Sequence, residues 1–320
     1  MILYSENTLK HKVPEGHPEN PKRLKIILSS ILDSYQIVHF SELANLNEIL
    51  EVHSKEYVDK VINTRGYLDP DTYISDGTLV AALTSFKMAK YSFLLAKDEK
   101  DLVFALTRPP GHHAGKNGKA NTSTNGFCIF NNIAGAIKLA KNYLKKVVVI
   151  DFDVHHGNGT QDIFLDDDNV IHIDLHQSYL YPFTGDNCYR TKINIPLPPY
   201  SKNDEYLYAW DNVVLPILDK IKPKIILISA GFDGYKNDGL SNTYLDEKFY
   251  YYIGNTLSNY SIAAVLEGGY SLGLKYGVRA FLDGYYGKSI KLNYKVPEDI
   301  KIKIDNIQNY ILNLFSKSSI

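Results

Sequence analysis

The 320-residue chain contains little cysteine and no excess of charge of one sign. Its two cysteines, Cys128 and Cys188, are too few for a disulfide framework and too far apart in sequence for a thiolate metal cluster. This usage fits a reducing compartment and predicts a cytoplasmic protein. The 35 Lys and Arg residues balance 36 Asp and Glu residues, so no overall basic surplus is available to bind a phosphate backbone. We therefore expect no direct nucleic-acid partner.

Long apolar runs and linkers are also missing. Residues 1–10 lack a basic segment followed by an apolar stretch of about 7–15 residues, so no secretory signal is predicted. The longest apolar runs, such as Lys224–Ala230, have the size of a strand and fall short of the roughly 20 residues that cross a bilayer. No Gly/Ser/Pro-rich linker or fixed-period repeat divides the chain. We expect a single domain over residues 1–320 without a membrane span; the oligomeric state is left open.

Short runs rich in Val, Ile and Leu recur along the chain without polar alternation. Strands that are buried on both faces have this composition. Segments with helical spacing lie between the runs, for instance Asn132–Leu144, where apolar residues recur every three or four positions. This alternation predicts an α/β fold, an open parallel sheet flanked by helices on both faces. The runs are Leu102–Leu106, Val147–Ile150, Val170–Leu175, Ile225–Ser229 and Ile262–Leu266.

The C-terminal segment has the periodicity of an amphipathic helix over residues 297–316. Proline is favoured at the first helical position, and Pro297 stands there. We predict a helix docked on the body of the domain; a helix that binds a partner is the alternative. Its apolar face carries Ile300, Ile304, Ile307, Ile311 and Leu314.

Functional residues are expected at the carboxyl ends of the strands, because the loops of an open parallel sheet converge there. Residues two apart in an extended chain face the same side, so Asp151, Asp153 and His155 leave one strand together. Asp233, after another strand, supplies a further carboxylate. Asp153, His155 and Asp233 around an open position are typical of catalytic zinc. The alternative, polar residues that satisfy a turn backbone, explains Asp151 but not the adjacent histidines.

Two further strand ends carry groups suited to acid–base and oxyanion chemistry. His112 and His113 follow one strand, and because adjacent side chains diverge we interpret them as acid and base groups near the metal. Tyr270 follows two glycines, which permit a tight turn and a close approach to a ligand. A phenol donor at the metal would stabilise an oxyanion. Ordinary packing in the core or on the surface is the alternative for these three side chains.

Together these motifs resemble the zinc-dependent histone deacetylase family, which includes acetylpolyamine amidohydrolases and acetoin-utilisation proteins. The resemblance extends from about His17 to Gly287 in the family's order and is greatest to the class II branch. It implies hydrolysis of an acetyl amide to acetate and a free amine. The motifs are Arg108–Ala114, Gly126–Asn132, Asp151–Gln161, Ser229–Asp233 and Glu267–Tyr270.

The resemblance also implies a role for each candidate residue. Asp153, His155 and Asp233 would hold one zinc ion, although iron(II) accepts the same ligands. A carboxylate partner favours an imidazolium and an amide partner does so far less, which predicts a charged His112 and a neutral His113. The implied roles are His113 as general base and then acid, His112 as its electrostatic neighbour, Tyr270 as oxyanion donor, Asp151 behind His112 and Asn158 behind His113.

A substrate tunnel and two accessory sites follow from the same resemblance. Arg23 matches a residue near an internal acetate pocket. Phe127 and Tyr181 would form facing walls of the tunnel, with core packing as the alternative. The implied tunnel residues are Phe127, Tyr181, Gly126, Leu240, Gly268 and Asp71. A structural potassium or sodium ion would be bound by Asp151, Asp153, His155, Asp174, Leu175, Phe164 and Val170.

Three positions depart from the family's pattern. Asp174 stands where a serine usually helps to bind the monovalent ion, and the added carboxylate predicts tighter monovalent binding or a second divalent ion. Phe183 replaces a glycine in the turn Pro182–Gly185, so the resemblance does not fix the conformation of that loop or of the adjacent tunnel wall. Gly234–Asn237 differs from the small residues usual after the last metal ligand, so the rim is expected to be reshaped.

The substrate is predicted from the tunnel rim. An acetyl-lysine side chain and an acetylated polyamine share the same acylaminoalkyl end, but the polyamine carries a further cation. Polyamine-selective class II relatives have a rim glutamate where this chain has Leu240, which cannot pair with an ammonium. They also have an insertion near His17–Arg23 that is missing here. We expect an acetylated protein or peptide, with an acetylated small amine as the alternative and an inactive acyl-lysine binder as a remote one.

Overall fold

The structure, a computed structural model, describes residues 1–317. In chain order the strands are β1 Ile2–Tyr4, β2 Ile37–His39, β3 Gly66–Asp69, β4 Thr72–Ile74, β5 Leu102–Ala105, β6 Ala114–Gly115, β7 Gly118–Lys119, β8 Val147–Asp151, β9 Val170–Gln177, β10 Lys192–Leu197, β11 Ile225–Ala230 and β12 Ser261–Leu266. The largest sheet has the strand order β10-β9-β8-β11-β12-β5-β1-β2, and every neighbouring pair in it is parallel. The other four strands form the antiparallel pairs β3–β4 and β6–β7.

Helices connect the strands and cover both faces of the sheet. They are α1 Lys22–Ile31, α2 Leu46–Leu50, α3 Lys55–Asn63, α4 Thr78–Glu99, α5 Asn132–Ala140, α6 Asn158–Ile163, α7 Asn203–Ala209, α8 Leu215–Ile221, α9 Glu247–Thr256, α10 Val278–Tyr285 and α11 Glu298–Lys317. A 3-10 helix spans Glu6–Lys10, and π-helical turns span Trp210–Val214 and Gly273–Gly277.

The expected open parallel α/β sheet is confirmed, and the five predicted strands are β5, β8, β9, β11 and β12 with ends within two residues. Their uniform apolarity has a simple cause. Val148 and Ile150 of β8 pack in one hydrophobic layer, and Val147 and Val149 pack in the layer on the opposite face.

Three strands of the large sheet, β1, β2 and β10, were not predicted from the sequence. β1 and β2 have only three residues each, which is too short for a periodic pattern. β10 alternates apolar residues with Lys192 and Asn194, a pattern that suggests a solvent-facing side, yet all six of its residues are buried. The reason is a buried polar cluster on that face, described below.

Helix α4 corrects the expectation that no segment is long and apolar enough to cross a membrane. Its 22 residues meet that criterion by length and composition, although lysines interrupt the apolar run. Within the structure 61% of its most apolar window is buried, and the helix packs against α5, β5 and β12. A buried core helix passes the same test, and we interpret α4 as one.

Helix α11 coincides within one residue with the helix predicted over residues 297–316, and it packs against the rest of the structure. It contacts β10 and the π-helical turn Trp210–Val214. Gln308 Nε2 donates a hydrogen bond to the carbonyl oxygen of Asn212 at 2.7 Å, and the Tyr310 hydroxyl donates to that of Arg190 at 3.0 Å. Four predicted residues of the apolar face are buried: Ile300, Ile304, Ile307 and Ile311.

The docking of α11 predicts different effects for two neighbouring isoleucines. Ile304 is fully buried, whereas Ile302 is 56% exposed. Ile304→Ala should lower the free energy of unfolding by about 2–4 kcal/mol through loss of buried methyl groups. The matched Ile302→Ala should change it by less than about 0.5 kcal/mol. Urea unfolding of the two variants measures both values, and equal losses would contradict the docked helix.

Candidate active site

The candidate site lies at the carboxyl edge of four adjacent strands, β8, β11, β12 and β5. The chain leaves β5 toward His112 and His113, and β8 ends at Asp151 before the loop with Asp153 and His155. Asp233 follows β11, and Tyr270 follows β12. The strands are far apart in sequence, so only the sheet order brings these side chains together.

Asp153, His155 and Asp233 meet at one point. Each offers a ligand atom, and the three atoms lie within 4.8 Å of one another. His155 Nδ1 is 3.1 Å from Asp153 Oδ1 and 3.0 Å from Asp233 Oδ2. Two buried carboxylates and one imidazole at such distances could hold a divalent metal ion.

The backbone approaches the carboxylates of this trio so closely that two positions must be glycine. The Gly268 amide donates a hydrogen bond to Asp153 Oδ2 at 2.7 Å. A Cβ at Gly268 would lie 2.1 Å from Asp233 Oδ2, and one at Gly231 would lie 2.1 Å from Asp153 Oδ2. Glycine is therefore required at both positions, because any side chain there would displace the carboxylates of the trio.

Without a metal ion, the trio would hold a proton instead. Burial alone would lower the pKa of His155, but Asp233 and Asp153 favour the imidazolium and raise that pKa to about 10. A metal ligand must be a neutral imidazole, so metal binding must displace this proton.

The two predicted acid–base histidines have different partners. His112 Nδ1 is 3.0 Å from Asp151 Oδ2, whereas His113 Nδ1 is 2.7 Å from the amide oxygen of Asn158. Burial disfavours a charged His112, yet Asp151 and Asp153 outweigh it and raise its pKa well above the usual value. Burial lowers the pKa of His113 well below the usual value, and His112 and His155 lower it further.

The predicted charge states, a charged His112 and a neutral His113, agree with these directions. The amide partner alone does not explain the neutral ring, because the hydrogen bond to Asn158 favours protonation of His113, while burial and the neighbouring imidazoles oppose it.

Tyr270 stands beside the trio with its ring held from two sides. The Arg23 guanidinium lies over the ring at 4.7 Å, and the Phe127 ring packs edge-on at 5.8 Å. Its amide donates a hydrogen bond to Asp238 Oδ2 at 2.8 Å. Burial raises the pKa of the phenol well above 10, so the hydroxyl keeps its proton and can donate it in a hydrogen bond.

A cavity of about 270 Å³ opens above the trio. The Tyr181 ring contacts the His113 ring at 5.0 Å between centroids. A Cβ at Gly126, whose φ is +54°, would lie 2.6 Å from His113 Cδ2, so glycine keeps the wall thin. The six residues predicted for the tunnel all line the cavity: Phe127, Tyr181, Gly126, Leu240, Gly268 and Asp71.

Arg23, predicted at an acetate pocket, is bound by the protein itself. Its Nε donates to the Gly269 carbonyl oxygen at 2.7 Å, its Nη1 to Glu19 Oε1 at 3.0 Å, and its Nη2 to the Glu267 carbonyl oxygen. These bonds hold the turn that carries Tyr270. The acetate role stays a prediction.

Two buried carboxylates that shape the site, Glu267 and Glu19, were not among the predicted site residues. Glu267 Oε2 accepts hydrogen bonds from the amides of Gly111 at 2.7 Å and His112 at 3.1 Å, which fixes the loop that carries both histidines. Glu19 Oε1 binds Arg23 and Arg108, at 3.0 and 2.8 Å. The available signal was their position, since Glu267 directly follows β12 and Glu19 lies within the His17–Arg23 motif.

Two departures from the family's pattern have structural explanations. Phe183 has φ +62°, a conformation that glycine adopts freely, and its ring is 75% exposed. The turn therefore keeps the glycine-like backbone and points the ring to solvent. Tyr235 is buried and stacks on Tyr250 with 6.3 Å between centroids, so it belongs to the core, whereas Leu240 lines the cavity.

The residues predicted for one monovalent ion do not all lie together. Asp151, at the end of β8, is the register partner of Asp174 in β9, but Val170 pairs with Val147 at the start of both strands. Val170 and Asp174 are four positions apart along the strand, a distance of about 13 Å. The Val170 carbonyl oxygen instead accepts a hydrogen bond from Lys192 Nζ at 2.8 Å. Phe164 hydrogen-bonds within the α6 segment and packs with Val170 in one hydrophobic layer, so these two cannot share an ion with Asp151.

Comparisons with known proteins agree with this geometry. The family model described as "Histone deacetylase domain" matches residues 17–284. An uncharacterised protein of Methanocaldococcus jannaschii is 51% identical, covering 97% of this chain and 90% of its own length. Two proteins named "Probable deacetylase" are 38% identical, from Methanothermobacter thermautotrophicus, and 35% identical, from Archaeoglobus fulgidus; the matches cover 84% and 85% of this chain and 85% and 81% of theirs.

A solved structure extends the similarity to the whole fold. The crystal structure of the HDA15 HD domain superposes with a TM-score of 0.86 at 28% identity, covering 98% of this chain and 97% of that one. The deacetylase names of the relatives support a deacetylase, and therefore hydrolase, activity with an acetylated substrate. The chain belongs to the histone deacetylase family.

Proposed function

We propose that this protein is a zinc-dependent deacetylase that removes the acetyl group from acetyl-lysine in proteins or peptides. The observation that carries the proposal is the meeting of Asp153, His155 and Asp233 at the base of a cavity that His113 and Tyr270 also line. No residue of this set is lost, which argues against an inactive acyl-lysine binder.

The side chains of the site fit acid–base hydrolysis of an amide. A zinc ion held by Asp153, His155 and Asp233 would supply a Lewis acid for the acyl carbonyl and lower the pKa of bound water. The neutral His113 takes a proton from the attacking water and then delivers it to the leaving amine. The Tyr270 hydroxyl donates a hydrogen bond to the carbonyl oxygen as negative charge develops there.

His112 supports this chemistry by holding a charge nearby. Its ring centroid is 4.0 Å from that of His113, and Asp151 keeps it in the imidazolium form. A positive neighbour disfavours a second charge on His113, so His113 stays ready to accept a proton. We propose that Asp151 and Asn158 act by positioning His112 and His113.

The cavity supports a linear acylaminoalkyl substrate. Phe127 and Tyr181 form apolar walls above the trio, and Leu240 lines the cavity where a carboxylate would be needed to bind a second substrate cation. Asp71 is the one carboxylate of the cavity lining, among the described residues, that lies outside the metal trio. Its oxygens can accept peptide N–H groups or bind a cation, so an acetylated small amine is retained as the second candidate.

Metal removal tests the proposed chemistry. A chelator should abolish acetate release from an acetyl-lysine peptide, and ZnCl₂ should restore it. Below about pH 10 the metal-free His155 carries a proton, so zinc uptake should release it and zinc affinity should rise about tenfold for each pH unit toward that pKa. A pH dye in weak buffer measures the release. Turnover that survives the chelator would contradict the proposal, whereas zinc uptake without proton release would contradict only the protonated state of the metal-free His155.

Phenylalanine substitutions at two tyrosines of the cavity distinguish stabilisation of the oxyanion from packing of the ring. Tyr270→Phe should lower kcat/KM about 100- to 1,000-fold, because it removes the proposed donor but keeps the ring between Arg23 and Phe127. Tyr181 is the matched control, since its hydroxyl donates to the Thr124 carbonyl oxygen at 3.0 Å. Tyr181→Phe should cost less than about tenfold. Equal effects on acetate release would remove Tyr270 from its proposed role.

Leu240 provides the test of substrate class. The wild-type protein should release acetate faster from an acetyl-lysine peptide than from acetylspermidine. Leu240→Glu should raise kcat/KM for acetylspermidine about tenfold or more by pairing with the distal ammonium. Leu240→Gln introduces a side chain with nearly the shape of glutamate but no charge, so it should leave kcat/KM for acetylspermidine unchanged. A wild-type preference for acetylspermidine would favour the second candidate while leaving the hydrolytic mechanism intact.

A further inference from the structure

A second buried polar cluster lies beside the catalytic trio, on one face of β8, β9 and β10. The strand register places Asp151 of β8 next to Asp174 of β9, and Asp174 next to Asn194 of β10. His172 and His176 flank Asp174 at two-residue spacing, so all three side chains leave β9 on one face. Every member of this cluster is buried.

The two carboxylates of the cluster converge on one point. The Gly157 amide donates to Asp174 Oδ2 at 2.8 Å. A Cβ built on Gly157 would lie 2.4 Å from Asp151 Oδ2 and 3.2 Å from Asp174 Oδ2, so both oxygens flank the same glycine. Two carboxylates buried so close together require a cation between them or a shared proton.

An imidazole without a hydrogen-bond partner points into the same place. His172 is fully buried, and neither of its ring nitrogens has a partner. Its Nε2 lies 3.6 Å from Asp174 Oδ2, beyond hydrogen-bond length but typical of two ligands on one ion. Ligand atoms of Asp151, His172 and Asp174 all lie within 4.8 Å of one another.

Two neighbouring residues of the cluster, His176 and Asn194, also have side-chain atoms without a hydrogen-bond partner. His176 Nδ1 binds Asp174 Oδ1 at 2.6 Å, but its Nε2 has no partner, and neither has the Asn194 side-chain oxygen. This cluster therefore holds four of the thirteen buried side-chain atoms that lack partners among the described residues. Buried polar groups in native proteins are almost always satisfied, so something is expected to bind here.

We propose that Asp151, His172 and Asp174 form a second metal site, for a divalent first-row transition ion such as zinc. Sodium and potassium take oxygen ligands, whereas imidazole nitrogen suits zinc, iron, copper and nickel. The sequence predicts that Asp174 strengthens cation binding. The imidazole of His172 favours a transition-metal ion over sodium or potassium at this site. The site would place an ion between Asp151 of β8 and Asp174 of β9, and it shares Asp151 with His112 of the proposed catalytic pair.

Zinc counting tests the proposal. Metal-free protein is reloaded with ZnCl₂ in potassium-containing buffer, excess metal is removed, and zinc per chain is measured by plasma mass spectrometry. The wild-type chain should hold two zinc ions and His172→Leu one. Asp233→Ala, which disrupts the catalytic trio, should also keep one. A wild-type chain with a single zinc ion, or His172→Leu with two, would overturn the second site.

His53→Leu is the control for metal loss through instability. His53 is also buried, but both its ring nitrogens are bonded, to the Gly115 carbonyl oxygen at 2.8 Å and the Asn131 amide at 2.9 Å. His53→Leu breaks two hydrogen bonds and should still bind two zinc ions; binding of only one would show that instability alone removes the ion and would overturn the assignment.

Anomalous diffraction at the zinc edge gives a test that needs no variant. A peak between Asp151, His172 and Asp174 in the wild-type crystal is the expected result. Density there without an anomalous signal that rises at the zinc edge, as potassium, sodium or water would give, or no density at all, would overturn the proposal. A missing peak at the catalytic trio would instead count against the proposed function, so the two failures are distinguishable.

Discussion

Buried carboxylates at one edge of a parallel sheet are the constraint on which this site depends. Asp151, Asp153 and Asp233 have no exposed surface, and an unpaired charge in such a place costs several kcal/mol or neutralises itself. The chain compensates with His112 and His155, which bond to these oxygens directly, and with backbone amides such as that of Gly268. The remaining negative charge is what makes cation binding at this edge favourable.

The same constraint explains why the backbone is so closely fitted around the site. Hydrogen bonds from main-chain amides require the chain to approach the carboxylates within about 3 Å. Gly231 and Gly268 allow that approach, and Gly157 does the same for Asp151 and Asp174. Each of these three glycines lies within or just after a loop that follows a strand of the sheet, so the turns that end the strands also bind the ligands. Substitution there would change the fold and the site together.

Site residues could be predicted from the sequence where a metal-binding or acid–base side chain directly follows a buried strand. They could not be predicted where the role depends on a hydrogen-bond partner far away along the chain. Asp153, His155 and Asp233 were identifiable because each follows a buried strand, and parallel strands end at a common edge. Glu267 was overlooked as a functional group because its partners, the amides of Gly111 and His112, lie more than 150 residues away. Val170 was wrongly grouped with Asp174, because the resemblance gives residues and not their separation along a strand.

Asp151 connects the two parts of this polar edge. One of its oxygens binds the ring of His112, and the other accepts the Asp153 amide at 3.1 Å. Asp151 also lies in register with Asp174, so the charge that reaches His112 depends on what neutralises the Asp151–Asp174 pair. A proton shared by that pair would weaken the support that Asp151 gives to the His112 imidazolium. A cation held through both carboxylates and His172 would keep Asp151 ionised, so the second polar cluster bears on the acid–base pair without contacting substrate.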